Sequence, residues 1–93
     1  MAADIQVESL SKTEFRVTVR EGGSQTTHTV TLEEDYYNKL TGGNSTKETL
    51  LRESLLFLLE REPKESILGS FDLPVIGRYF PDYEREIRKQ LAG

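Results

Sequence analysis

Side chains able to do covalent chemistry are scarce in this chain. It has no cysteine and a single histidine, His28. Nucleophilic catalysis needs a serine, threonine or cysteine beside a base that a third group orients. No G-x-S-x-G elbow or comparable arrangement accompanies His28. His28 falls in phase with Val30 and Leu32, so it reads as a histidine at the end of a packed strand face. The densest acidic cluster is Glu33, Glu34 and Asp35. Neighbours in a helix point in different directions, and helix first turns are acidic because of the macrodipole, so these carboxylates are not expected to converge on a cation. Nothing resembles a calcium loop or a two-histidine zinc helix. The expectation is therefore no catalytic residue, no metal ligand and no cofactor: a protein that acts by contact.

Three other stretches offer binding chemistry. Gly42, Gly43, Asn44, Ser45, Thr46 and Lys47 invite comparison with phosphate loops, where glycines free backbone N–H groups for an anion. The spacing G-x-x-x-x-G-K-[ST] is absent, and the simpler reading is one helix ending at Gly42 and another capped by Ser45. Arg85, Arg88 and Lys89 lie on one face of a C-terminal helix, with Arg78 upstream. They form either a solvated face or a recognition patch for an acidic partner. The stretch from Phe71 to Phe80 is apolar and aromatic but is broken by Pro74 and Gly77 and followed by Pro81. It either plugs the apolar core or leaves part of itself exposed to a partner. Phe71, Arg78, Tyr79, Phe80, Arg85, Arg88 and Lys89 are the candidate partner surface.

The elements that would position these residues follow from period and punctuation. Ile5 and Val7; Phe15, Val17 and Val19; and His28, Val30 and Leu32 alternate with polar neighbours, predicting strands over about 4–9, 14–20 and 26–32. Gly22 and Gly23 mark a tight hairpin turn. A short helix is expected over about 33–40, opened by a capping box from Thr31 to Glu34. The central element is a helix over about 45–62, with Ser45 and Glu48 as a second capping box and Pro63 as its stop. Its leucines and Phe57 cover well over half its circumference and leave a narrow polar strip near Glu53 and Glu60, so it must be covered on several sides or pair with a second copy. A last helix over about 81–91 presents Tyr83, Ile87 and Leu91 as one stripe. The predicted architecture is α+β: one domain over 1–93, with an antiparallel two- or three-stranded meander packed on three helices. The expected core is Phe15, Val17, Val19, Val30, Leu32, Leu50, Leu51, Leu55, Leu58, Leu59, Tyr83 and Ile87.

Sixteen acidic residues against twelve basic give a net charge of −4. That balance argues against broad non-specific nucleic-acid binding, while leaving room for a local patch. The N-terminal stretch has no basic and apolar leader pattern. The longest apolar run, 55–59, is far short of the ~20 residues of a membrane span. The reading is a cytoplasmic, non-enzymatic interaction module, with a protein partner or a homodimer as the expected assembly and no membrane.

Residues 28–62 carry one resemblance. A strand, a helix, a glycine-containing turn and a capped helix bearing Leu50, Leu51, Arg52, Glu53, Ser54 and Leu55 resemble the ribbon-helix-helix DNA-binding domains. The resemblance implies a dimer whose paired strands enter the major groove, with Thr27, Thr29 and Thr31 facing the bases. It places phosphate contacts at Ser45, Thr46 and Lys47. It also implies that the apolar central helix is buried in a dimer core. Against it stand a short first helix, a strand with a hairpin partner in its own chain, and three threonines where bidentate base readers are expected.

Overall fold

A computed structural model describes residues 3–92. The chain is α+β, and its elements in order are β1 (Asp4–Ser9), β2 (Glu14–Glu21), β3 (Ser24–Thr31), α1 (Glu34–Thr41), α2 (Lys47–Leu59), a 3-10 turn (Lys64–Ser66), β4 (Ser70–Asp72), α3 (Val75–Tyr79) and α4 (Tyr83–Ala92). The strands form one sheet in the order β1-β2-β3-β4.

The alternation of the first three strands becomes an antiparallel meander with Phe15 opposite Val30 and Val17 opposite His28. Gly22 and Gly23 have φ of 63° and 83°, so both central turn residues are left-handed, as a two-residue hairpin matched to strand twist requires. The meander does not end the sheet. β4 pairs parallel to β3, with Val30 opposite Phe71, so the sheet is mixed. The stretch 71–80 also contains the short α3, giving four α-helices among the described residues instead of the three expected. A three-residue strand and a five-residue helix carry too little local periodicity to be read in isolation.

One face of the sheet is covered. Ile5, Phe15, Val17, Val19, His28, Val30 and Phe71 are buried on it, while their outward neighbours, among them Gln6, Arg16, Arg20 and Thr27, are exposed. α2 lies on the inner face against β1 and α4, and the Arg52 Nε donates to the outward carbonyl of Ile5 at 3.3 Å, occupying part of the β1 edge. α2 is capped by Thr46, whose hydroxyl accepts from the Thr49 N–H at 3.0 Å; Ser45 is not the cap. Glu48 does not reach back to close a box but pairs with Arg52 at 2.9 Å. The helix ends at Leu59, before the predicted 62, because the apolar run stops there and the turn at Glu60 and Arg61 precedes Pro63. The first predicted box also fails: Thr31 stays in β3, and Glu33 caps α1 without a side-chain hydrogen bond. The C-terminal helix begins at Tyr83, with Pro81 in the turn before it.

Eleven of the twelve expected core residues are buried, and Leu59 alone remains partly exposed. At the centre, the Tyr83 hydroxyl and Ser54 Oγ are 2.7 Å apart. Ser54 also lies 2.7 Å from the Leu50 carbonyl. A carbonyl only accepts, so the serine proton goes to Leu50 and Tyr83 donates to Ser54. Below them, the Phe57 ring meets Tyr83 edge-on at 5.3 Å and Phe80 at 6.0 Å.

Candidate functional site

The most exposed large apolar side chains gather where the chain returns from α2 to the sheet. Leu58 comes from the last turn of α2, Ile67 and Leu68 from the connection after the 3-10 turn, Phe71 from β4, and Ile76 and Tyr79 from α3. Together with Val75 and Phe80 they line a groove of about 170 Å³ rimmed by Glu62 and Ser66. Its floor is fixed: Leu58, Ile67, Phe71 and Ile76 are buried. Its sides are not covered, since Leu68 is 50 % and Tyr79 69 % exposed. Within the stretch 71–80, Leu73 and Ile76 are packed while Arg78 and Tyr79 face out.

Comparison with protein-family models, curated proteins and solved structures finds no match for this chain.

The groove is held by the only histidine. His28 is buried, with Nδ1 2.8 Å from the Leu68 carbonyl and Nε2 2.8 Å from the Thr26 hydroxyl. Because the carbonyl can only accept, Nδ1 carries the proton and Nε2 accepts from Thr26. The neighbouring bond from the Thr29 N–H to the Gly69 carbonyl, at 2.8 Å, begins the pairing of β3 with β4. His28 is therefore a buried strand residue, in phase with Val30, and it also ties β3 to the connection that carries Leu68.

The other predicted positions divide. Phe71, Tyr79 and Phe80 share the groove. Arg85, Arg88 and Lys89 are exposed on α4 and do not line it. Arg85 is engaged by Asp82 at 3.5 Å and Glu86 at 3.8 Å, and Arg88 reaches the Lys39 carbonyl at 3.5 Å. The glycine loop uses its own amides: the Gly42 N–H donates to Asn38, Gly43 to the Thr41 hydroxyl and Asn44 to the Thr41 carbonyl. No anion cradle is left there. Lys47 pairs with Glu34 at 3.1 Å and lies over the Tyr37 ring. Thr27, Thr29 and Thr31 face away from the buried side of the sheet, whereas α2, which follows Ser45 and Thr46, packs on that buried side. One edge of β3 is paired with β2 along its length, and the other is paired with β4 at Thr29, Val30 and Thr31. Among the described residues, no three His, Asp or Glu side chains are grouped to hold a metal ion, and no helix is long and apolar enough to cross a membrane.

Two features escaped the sequence reading. Lys64 is buried, with its ammonium 2.9 Å from Glu65; that hydrogen bond holds the Glu65 carboxyl below its ordinary range. Tyr36 donates to Glu84 at 2.9 Å from a half-buried position. Burial, then the carboxylate contact, raises the Tyr36 phenol above its ordinary value, and burial does the same to Tyr83. A raised folded value means that the contribution to stability is complete below the unfolded value, about 10, and is lost as pH rises past it. We expect the phenolate absorbance of both residues to appear above the ordinary tyrosine range in an alkaline titration, that of Tyr83 only together with loss of native circular dichroism, with Tyr36→Phe and Tyr83→Phe assigning the signals. Ionisation of Tyr83 in the intact fold would contradict its burial.

Proposed function

We propose that the protein is a small non-enzymatic binding module that takes apolar side chains of a protein partner in the Leu68/Tyr79 groove. The observation that carries this reading is a fixed apolar floor flanked by two large apolar side chains held in solvent. Such residues mark interaction sites when they adjoin one another, and a tyrosine supplies contact area at little entropic cost. No G-x-S-x-G elbow or comparable motif accompanies His28 in the sequence, and the Thr26 hydroxyl it accepts from belongs to its own strand; both favour contact over catalysis. The groove also suits a second copy, in which case the module is a homodimer.

The ribbon-helix-helix alternative is the weaker proposal, because β3 is an inner strand of its own sheet and Lys47 is already paired. A DNA titration at low salt tests it directly; a shift abolished by Lys47→Ala would restore it.

The groove itself is tested with the double variant Leu68→Ser, Tyr79→Ser. Both side chains are exposed, so the fold should change by no more than ~0.5 kcal/mol per site. Panning a random peptide library on the native chain should enrich sequences with paired leucine or aromatic side chains, and panning on the variant should not. Equal enrichment on both would remove the groove from the function. Sedimentation of the two chains at high micromolar concentration separates self-association from a foreign partner.

A further inference from the structure

A second groove lies on a flank of α2 that no other described element covers. It runs between α2 and α4, has a volume of about 370 Å³, and is closed at one end by Ala3 and Glu21. Its floor is apolar: Leu56 and Leu59 are partly exposed there beside buried Phe57 and Ile87. Its rim is acidic, with Glu53 and Glu60 from α2, Glu86 from α4 and Glu21 from the end of β2. Among the described residues neither Glu21 nor Glu53 takes part in an ion pair.

The groove already holds one cation, and how it does so shows what fits. The Arg61 guanidinium lies 3.6 Å over the Phe57 ring, donates to the Phe57 carbonyl at 3.0 Å and meets the Glu60 carboxylate at 3.3 Å. An aromatic face, a helix-end carbonyl and a carboxylate together make a guanidinium or ammonium seat. The chain fills one such seat with its own arginine and leaves Glu53 and Glu21 without an ion pair, and Glu86 in only a long contact to Arg85 at 3.8 Å, around an apolar floor.

We infer that the groove between α2 and α4 binds a cationic amphipathic segment of a protein partner, its leucine-like side chains on Leu56 and Leu59 and its lysines or arginines on Glu53 and Glu86. Charge complementarity favours this occupant: the rim repels an acidic segment, and a purely apolar one would bury unpaired carboxylates. This groove is distinct from the Leu68/Tyr79 groove, and neither assignment depends on the other.

The test uses isotope-labelled full-length chain and an amphipathic helical peptide of leucine and lysine about 14 residues long. Amide shifts are expected across α2 from Glu53 to Arg61 and across α4 from Glu86 to Gln90. The double variant Glu53→Gln, Glu86→Gln should weaken binding about ten-fold or more. The double variant Glu33→Gln, Asp35→Asn, which changes net charge equally at the exposed cap and first turn of α1, should leave it nearly unchanged. The inference is overturned if both double variants weaken binding equally, since only net charge would then be at work. It is equally overturned if an oligolysine of the same charge or free spermine binds as tightly, because the apolar floor would then take no part. Shifts centred on Leu68 and Tyr79 would assign the peptide to the other groove and overturn it too.

Discussion

Replacing Tyr83 with alanine should cost about 3–5 kcal/mol, the range for truncating a fully buried large aromatic, and should leave the chain close to unfolding at room temperature. Tyr83 is fully buried, stacks edge-on against Phe57, and donates to a serine that is itself bonded back to its own helix. Alanine removes the ring that joins α4 to α2 and opens a cavity whose walls belong to two helices. At ~0.05–0.15 kcal/mol per residue, a chain of this length holds about 5–14 kcal/mol in total, so the loss consumes much of the margin. The melting temperature should fall by ~12–40 °C, at ~4–8 °C per kcal/mol for a domain of this size. Tyr83→Phe keeps the ring and the Ser54 bond to Leu50, and loses only one donor; about 1 kcal/mol is expected. Thermal unfolding followed by circular dichroism distinguishes the two. If phenylalanine proved as damaging as alanine, the hydroxyl contact would outweigh the ring and the packing account would be wrong. A double-mutant cycle with Ser54→Ala gives the coupling of the pair directly.

Tyr83 was legible in the sequence because its stripe with Ile87 and Leu91 is a local pattern. So were the hairpin, whose turn needs two left-handed residues and has two glycines, and the over-apolar α2. What the sequence did not reveal depends on residues far apart. β4 is three residues long and exists because Phe71 finds Val30 across a connection that includes α1 and α2. Ser54 reads as a polar interruption in a leucine run, and one of its two buried hydrogen bonds comes from a tyrosine 29 positions away. Lys64 looks like a surface lysine and is buried. The α2 cap was missed by one residue, since Ser45 and Thr46 offer the same hydroxyl and only the entry angle of the chain chooses between them, and the α1 cap by two, since Thr31 stays in β3 and Glu33 takes the position.

The candidate sites divide in the same way. Tyr79, Phe71 and Phe80 stood out as aromatics in a broken stretch, whereas Leu68 did not, because its exposure is set from another element. The polar strip at Glu53 and Glu60 was visible on the helical wheel. That it forms one wall of a groove required α4 and the end of β2 to be in place, with Glu86 and Glu21 opposite.

His28→Ala should cost about 2–4 kcal/mol, and its effect should be concentrated at β4 and the Leu68/Tyr79 groove. Two contributions add. The Leu68 carbonyl loses the donor it meets at 2.8 Å in a part-buried connection, and losing such a hydrogen bond costs about 0.5–1.5 kcal/mol. The vacated imbidazole volume adds a cavity penalty in a strand buried on its inner face. Thr26→Val, which removes only the second partner of the ring, should cost less, about 0.5–1.5 kcal/mol. The spatial signature matters more than the size. The Thr29 amide donates to Gly69 in the same connection, so its hydrogen exchange should accelerate in His28→Ala well beyond that of amides pairing β1 with β2. Peptides selected on the Leu68/Tyr79 groove should bind this variant more weakly although no groove residue has changed, because a freed carbonyl lets Leu68 move. Uniform acceleration of exchange across the sheet, with peptide binding intact in the folded fraction, would reduce His28 to an ordinary core residue and leave Leu68 positioned by packing alone.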